Sequence, residues 1–241
     1  MEYRTEFGFK KAIKVDETML RDIVSEMKKY CENVKYEATL ENGDSIKFES
    51  LDEMISFENS KINSFGTIYI TARDGNFKNR IEVSIQAIDV FIERFYETIS
   101  VEMNVDSIET KTIFKSKFEE ICTRHEQDKR YNFISKTGIF NIISALYFVI
   151  AGIVTFDFIK NDFKDINDNL ITVWLIVSIV YLIKGFLQKL QKKYYPPIVF
   201  YLGDGISIYD RNERARENFF WGGIVAVLLG IVFLVLEIIL S

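Results

Sequence analysis

Three long apolar runs occupy the second half of this chain and constrain its folding more than anything else in it. They are residues 138–156 (GIFNIISALYFVIAGIVTF), 170–187 (LITVWLIVSIVYLIKGFL) and 219–240 (FFWGGIVAVLLGIVFLVLEIIL). A helix crosses a bilayer core with about 20 apolar residues. Three runs of that order in half of a 241-residue chain predict an all-α membrane region of three transmembrane helices. The first half alternates charged and apolar residues instead, as a folded domain outside the bilayer does.

Lysine and arginine near the span ends set the expected orientation. Arg124, Lys129, Arg130 and Lys136 precede the first run, and Lys189, Lys192, Lys193, Arg211, Arg214 and Arg216 lie between the second and third. The joint between the first two carries only Lys160 and Lys164 among Asp157, Asp162, Asp165 and Asp168. The reading is a membrane protein with its N-terminal domain in the cytoplasm, an acidic loop outside, and Ser241 outside. The opening stretch, MEYRTEFGFKK, lacks the apolar centre of a signal peptide. Two cysteines, Cys31 and Cys122, without a cysteine-rich motif, fit a reduced compartment. A net charge of -5 argues against a nucleic-acid-coating role.

The expected domains are an α+β unit over 1–125, a linker over 126–137, and a membrane region over 138–241. In the α+β unit, Asp16 caps a helix that places Leu20, Ile23, Val24 and Met27 on one face. Val34–Leu40 and Ile46–Phe48 flank Asn42-Gly43, a strong hairpin signal. Ser50 and Glu53 form a capping box. Strands are expected at Thr67–Ala72, at Ile81–Ala87 after an Asp74-Gly75 turn, and twice within Val90–Val105, with a helix over Phe91–Tyr96 as the alternative there. A closing helix carries Phe114, Phe118 and Ile121. It reads as a lever toward the first run or as a plain tether.

Between the second and third runs, residues 194–211 (YYPPIVFYLGDGISIYDR) read as a cytoplasmic β-hairpin. Strands flank a Gly203-Asp204-Gly205 turn, with Phe200 and Ile208 on its two arms. Two roles stand for it: a compact connector, or a coupling element between the N-terminal domain and the spans.

Chemical motifs are scarce. The sequence has no phosphate loop, no Gly-x-Gly-x-x-Gly and no Cys-x-x-Cys. The lone histidine, His125, does not make a zinc site with two distant cysteines. The expectation is a protein that is not an enzyme and carries no cofactor or metal. In the third run Gly222, Ala226 and Gly230 recur every four residues, the spacing that lets helices approach closely. That stripe serves packing within one subunit or between subunits, and it favours a homo-oligomer in the lipid bilayer. Asn141, Ser144, Asp157 and Glu237 are the candidate pore or mouth residues, because polar groups in apolar spans face cavities or interfaces.

The α+β unit ending near Cys122, the three runs, and PPIVFYLGDG between the last two together resemble the membrane effectors of bacterial anti-phage defence. Among these the layout is most similar to the channel effectors of the Hailong type, which are paired with a nucleotidyltransferase-like protein. The resemblance implies an oligomeric, ligand- or partner-gated ion channel in the bacterial inner membrane. It also implies a nucleotide, oligonucleotide or protein activator as the signal. It carries over no binding residues. The alternative is an interaction or sensor module whose spans only anchor it.

Overall fold

The computed structural model describes residues 3–75, 79–87, 98–136, 185, 189–218 and 222. Its centre is a six-stranded sheet, antiparallel throughout. The strands are β1 (Tyr3–Phe9), β3 (Asn33–Leu40), β4 (Ser45–Phe48), β5 (Phe65–Arg73), β6 (Arg80–Gln86) and β7 (Ile99–Val105), in the order β1-β7-β6-β5-β3-β4. Strands β3 to β7 lie beside sequence neighbours, and β1 closes the far edge against β7.

Period-two alternation gives the sheet one apolar face. Phe65, Ile68, Ile70 and Ala72 of β5, and Ile99, Val101, Met103 and Val105 of β7, are buried. Helices α1 (Glu17–Lys28) and α3 (Ile108–Arg124) cover that face. α1 lies over β3 and β5, α3 lies over β1 and β7, and the two helices touch. Both start where the sequence supplies a cap. Asp16 Oδ1 accepts from Met19 N at 2.9 Å, and Ser107 Oγ accepts from Glu109 N at 3.1 Å.

The expected elements of this unit are present. The Asn42-Gly43 turn joins β3 to β4 with Gly43 at φ +93°, a conformation that favours glycine. Ser50 caps the short α2 (Leu51–Ser56) by accepting from Glu53 N. Of the two strands expected within Val90–Val105, β7 is one; residues 90–97 lie outside the described residues. The sequence reading missed β1 and the short β2 (Ile13–Val15).

The expected fold class is corrected. The described elements are this mostly antiparallel sheet with its helices, and among the described residues no helix is long and apolar enough to cross a membrane. The inner-membrane placement, the ion channel and the three-span all-α region are not carried further on that finding. The apolar runs, with Asn141, Ser144, Asp157, Ala226, Gly230 and Glu237, lie outside the described residues, Gly185 and Gly222 excepted. Gly222 is helical, and a Cβ there would meet nothing within 4 Å.

The hairpin at 194–211 is also corrected. Only Ile198–Phe200 is a strand, β8, and it pairs in parallel with β2. Residues 205–218 are helical. Gly203, at φ +50°, turns the chain, and Ile208 N donates to Asp204 O, opening the helix there. Along this helix Ile208, Tyr209, Asn212, Ala215 and Arg216 are among the shielded positions. That spacing is helical, and it overrides the short Ile-Ser-Ile-Tyr alternation.

Phe200 belongs to the main core, although it comes from the far end of the chain. Its ring lies 5.7 Å from that of Phe65, which in turn packs on Phe57 at 5.2 Å and Phe48 at 6.4 Å. Phe200→Ala should lower unfolding free energy by about 3 kcal/mol, the usual cost of emptying a buried aromatic site. Urea unfolding of the full chain measures this. A loss under about 1 kcal/mol would mean that the returning chain is a loosely laid connector.

Candidate functional site

Strand β2 is hydrogen-bonded along both edges. On one side Ile13 N donates to Pro197 O at 2.9 Å and Tyr201 N donates to Val15 O at 2.7 Å. On the other, Lys14 N donates to His125 O at 3.1 Å and Gln127 N donates to Ala12 O at 2.9 Å. His125 caps the C-terminus of α3, so three elements meet in four residues of backbone, Ala12–Val15: the exit of α3, the lead into α1, and the returning β8.

A buried asparagine fixes the return. Asn59 is 4% exposed and sits at φ +44°, which asparagine tolerates better than most residues. Its Nδ2 donates to Phe200 O at 3.2 Å and Leu202 O at 3.1 Å, while its Oδ1 accepts from Phe65 N at 2.9 Å. One step on, Asp204 N donates to Glu58 O at 2.7 Å. A Cβ on Gly203 would fall on the carbonyls of Phe57 and Glu58. The glycine is needed here for close backbone approach as well as for its φ.

Below this staple lies a collar of aromatic and cationic groups. It joins α4 (Lys129–Lys136), the helical residues 189–194 and the helix at 205–218. The Arg216 side chain is 10% exposed. Its guanidinium carbon lies 5.1, 5.6 and 5.0 Å from the ring centres of Tyr131, Tyr195 and Tyr209. Arg216 Nη1 also donates to Tyr194 O at 2.9 Å. Enclosure by three rings is a strong form of cation–π contact, because little water competes for the charge.

Tyr131 Oη donates to Pro196 O at 2.9 Å. Gln191 Nε2 donates to the carbonyls of Ile134 and Ser135 at the end of α4. Lys14 Nζ stands 3.4 Å from the Tyr201 ring centre, so β2 reaches into the collar as well. α4 leads toward the run at 138–156, residues 189–194 come after the run at 170–187, and 205–218 precedes the run at 219–240. The collar therefore ties together every described segment that adjoins an apolar run.

Burial sets the chemistry of Tyr131 at the junction and of the two thiols. It pushes the Tyr131 hydroxyl well above the ordinary tyrosine value, and nearby Arg216 offsets only part of this. Burial, with Glu119 adding, raises the Cys122 thiol to about 12. Burial, with Asp74 adding, raises Cys31 to about 11. Neither thiol has the depressed value of a nucleophile. Among the described residues no group of three or more His, Cys, Asp or Glu side chains could hold a metal ion.

The sheet face turned away from α1 and α3 is mostly polar, with Tyr69 among its residues. Cross-strand register lines up Arg4, Asn104, Arg80, Arg73 and Asn33 in one row. The next row holds Glu6, Glu102, Glu82, Thr71 and Lys35. Arg4 bonds Glu102 at 2.8 Å and Arg80 bonds Glu82. Arg73 Nε is buried without a hydrogen-bond partner.

Of the predicted coupling residues, Phe200, Gly203, Asp204 and Gly205 stand at the staple, and Ile208 is half-buried on the helix beyond it. Sequence reasoning missed Asn59, Lys14, Tyr131, Gln191 and Arg216. One available signal was Asp204 standing ahead of helically spaced Tyr209, Asn212 and Arg216. No family of known proteins, no curated protein and no solved structure matches the chain.

Asn59→Ala strands two carbonyls and one N–H and forces alanine to positive φ. Stability should fall by about 2–4 kcal/mol, with faster amide exchange over 198–210. An exchange pattern like the wild type's would dissolve the staple.

The fold should also weaken in alkali. Tyr131, Cys31 and Cys122 all have native values above the ordinary ones of 10.0 and 9.0. The unfolded chain therefore loses these protons first, and their stabilising contribution is complete below about pH 8.5 and shrinks as pH rises beyond it. Stability measured from pH 7 to 11 should decline, and Tyr131→Phe should flatten the upper part of the slope. A pH-independent wild type in that window would contradict the burial of these groups.

Proposed function

We propose that this chain is a non-catalytic sensor module. Its sheet domain receives a ligand or a protein partner, and its junction passes the resulting change to the segments flanking the apolar runs. The carrying observation is the convergence on β2 and Arg216. The exit of α3, the lead into α1, β8, α4 and the helical residues at 189–194 and 205–218 share one set of hydrogen bonds and ring contacts. A domain that served only as a passive tether would not need its returning chain embedded in its own core, as Phe200 is.

Two further features support the reading. Both thiols are held protonated by burial, which disfavours cysteine catalysis. The polar sheet face offers a receiving surface, with Arg73 bearing a buried, unpartnered Nε. The signals to try on it first are those implied by the resemblance: a nucleotide, an oligonucleotide or a protein activator.

A double-mutant cycle tests the coupling. Phe65→Leu perturbs the sheet side and Arg216→Met the collar, with amide exchange of residues 205–218 as the readout. A sensor of this design gives a coupling above about 0.5 kcal/mol. Additive effects would separate domain from collar and overturn the proposal.

A further inference from the structure

Among the described residues, one carboxylate of the Glu6-Glu102-Glu82 row lacks the cation its neighbours have. Glu6, Glu102 and Glu82 stand directly opposite one another on three adjacent strands. Like charges in that position repel. Glu82 is relieved by Arg80, and Glu102 by Arg4. Glu6 is exposed, at the outermost position of the row, on the edge strand β1.

That edge is long, and only the charges of Arg4 and Glu6 blunt it among the described residues. β1 spans seven residues, Tyr3–Phe9, without proline, bulge or lysine, and among the described residues only β7 pairs with it. Natural sheets normally blunt such an edge. The hydrogen-bonding phase shows which groups are open. Gln86 N donates to Thr98 O, so even-numbered residues of β7 bond β6 and odd-numbered ones bond β1. Odd residues of β1 face β7 in turn, which leaves the amides and carbonyls of Arg4, Glu6 and Gly8 along the open edge.

We propose that this edge pairs antiparallel with the same edge of a second copy of the chain, about a two-fold axis at Thr5, joining two six-stranded sheets into one. Only groups on the open edge can exchange bonds, so the centre must bring even residues together. A centre at Arg4 sets Arg4 against itself, and one at Glu6 sets Glu6 against itself. The centre at Thr5 sets Arg4 opposite Glu6 of the partner copy and Glu6 opposite its Arg4, and this supplies the missing cation twice over.

The same register serves the other face. Tyr3 then lies opposite Phe7 of the second copy, an aromatic cross-strand pair. Both residues are only half-buried within one chain, although they sit on the helix-covered side. Phe7 is already held from behind by Phe118, with ring centres 5.9 Å apart. This surface is separate from the Gly222 stripe, and the proposal does not depend on the sensor reading.

Charge exchange and cross-linking test it on the full-length protein. Glu6→Arg sets arginine against arginine at both symmetric positions and should weaken self-association in sedimentation by about tenfold. Adding Arg4→Glu to it restores opposite charges and should recover most of the wild-type association. Thr5 self-pairs at a non-hydrogen-bonded site, where Cα atoms approach to about 4.5 Å, within disulfide reach. Thr5→Cys should therefore oxidise to a covalent dimer, while Glu6→Cys should not. Both native thiols are buried and will not compete. A monomeric wild type, equal cross-linking at positions 5 and 6, or no rescue by the double exchange would each overturn the proposal.

Discussion

Three residues of extended backbone, Ile13–Val15, hold this molecule in one piece. Buried amides and carbonyls must find partners, and β2 finds them on opposite sides in chain segments that have nothing else in common. His125–Gln127 bring the end of α3 to one edge, and Pro197–Tyr201 bring the returning chain to the other. Ile13 and Val15 are fully buried between them. The position of the collar, the burial of Phe200 and the staple at Asn59 all depend on that doubly bonded strand.

The sheet shows how one pattern serves two surfaces. Alternation places aliphatic residues under α1 and α3 and leaves the opposite face to arginine, glutamate, serine and threonine. An antiparallel sheet tolerates one solvated face, so the polar rows do not threaten the fold. They are free to be arranged by charge: the register places arginines and glutamates in adjacent rows, where Arg4 meets Glu102 diagonally across two strands and Arg80 meets Glu82 along its own strand.

Legibility in the sequence tracked the range of the interactions involved. The Asp16 cap, the Asn42-Gly43 turn and the Ser50–Glu53 box act within four residues, and the elements they predict are present. The apolar face of α3 was legible for the same reason. β1 and β2 were not, because each is extended only through a distant partner: β7 for one, β8 and the 125–127 segment for the other. Gly203-Asp204-Gly205 was rightly a turn, but the helix beyond it is settled by contacts of Tyr209 and Arg216 with Gln127 and Tyr131. A short stretch of alternation cannot reveal those. Asn59 carried no local signal at all, since its partners lie at Phe65, Phe200 and Leu202.

The pairing of β2 with β8 also has a bearing on how the protein is made. Strands β3 to β7 are neighbours in sequence and can assemble as they leave the ribosome, at little loop-closure cost. β2 cannot be completed until Ile198–Phe200 has been synthesised. Until then one side of Ile13–Val15 is a bare strand edge carrying two large apolar side chains, the kind of edge that recruits the wrong neighbour. A nascent chain, or one truncated before Pro197, therefore exposes a sticky segment near its beginning. Ile198–Phe200, arriving late, act as its intramolecular chaperone.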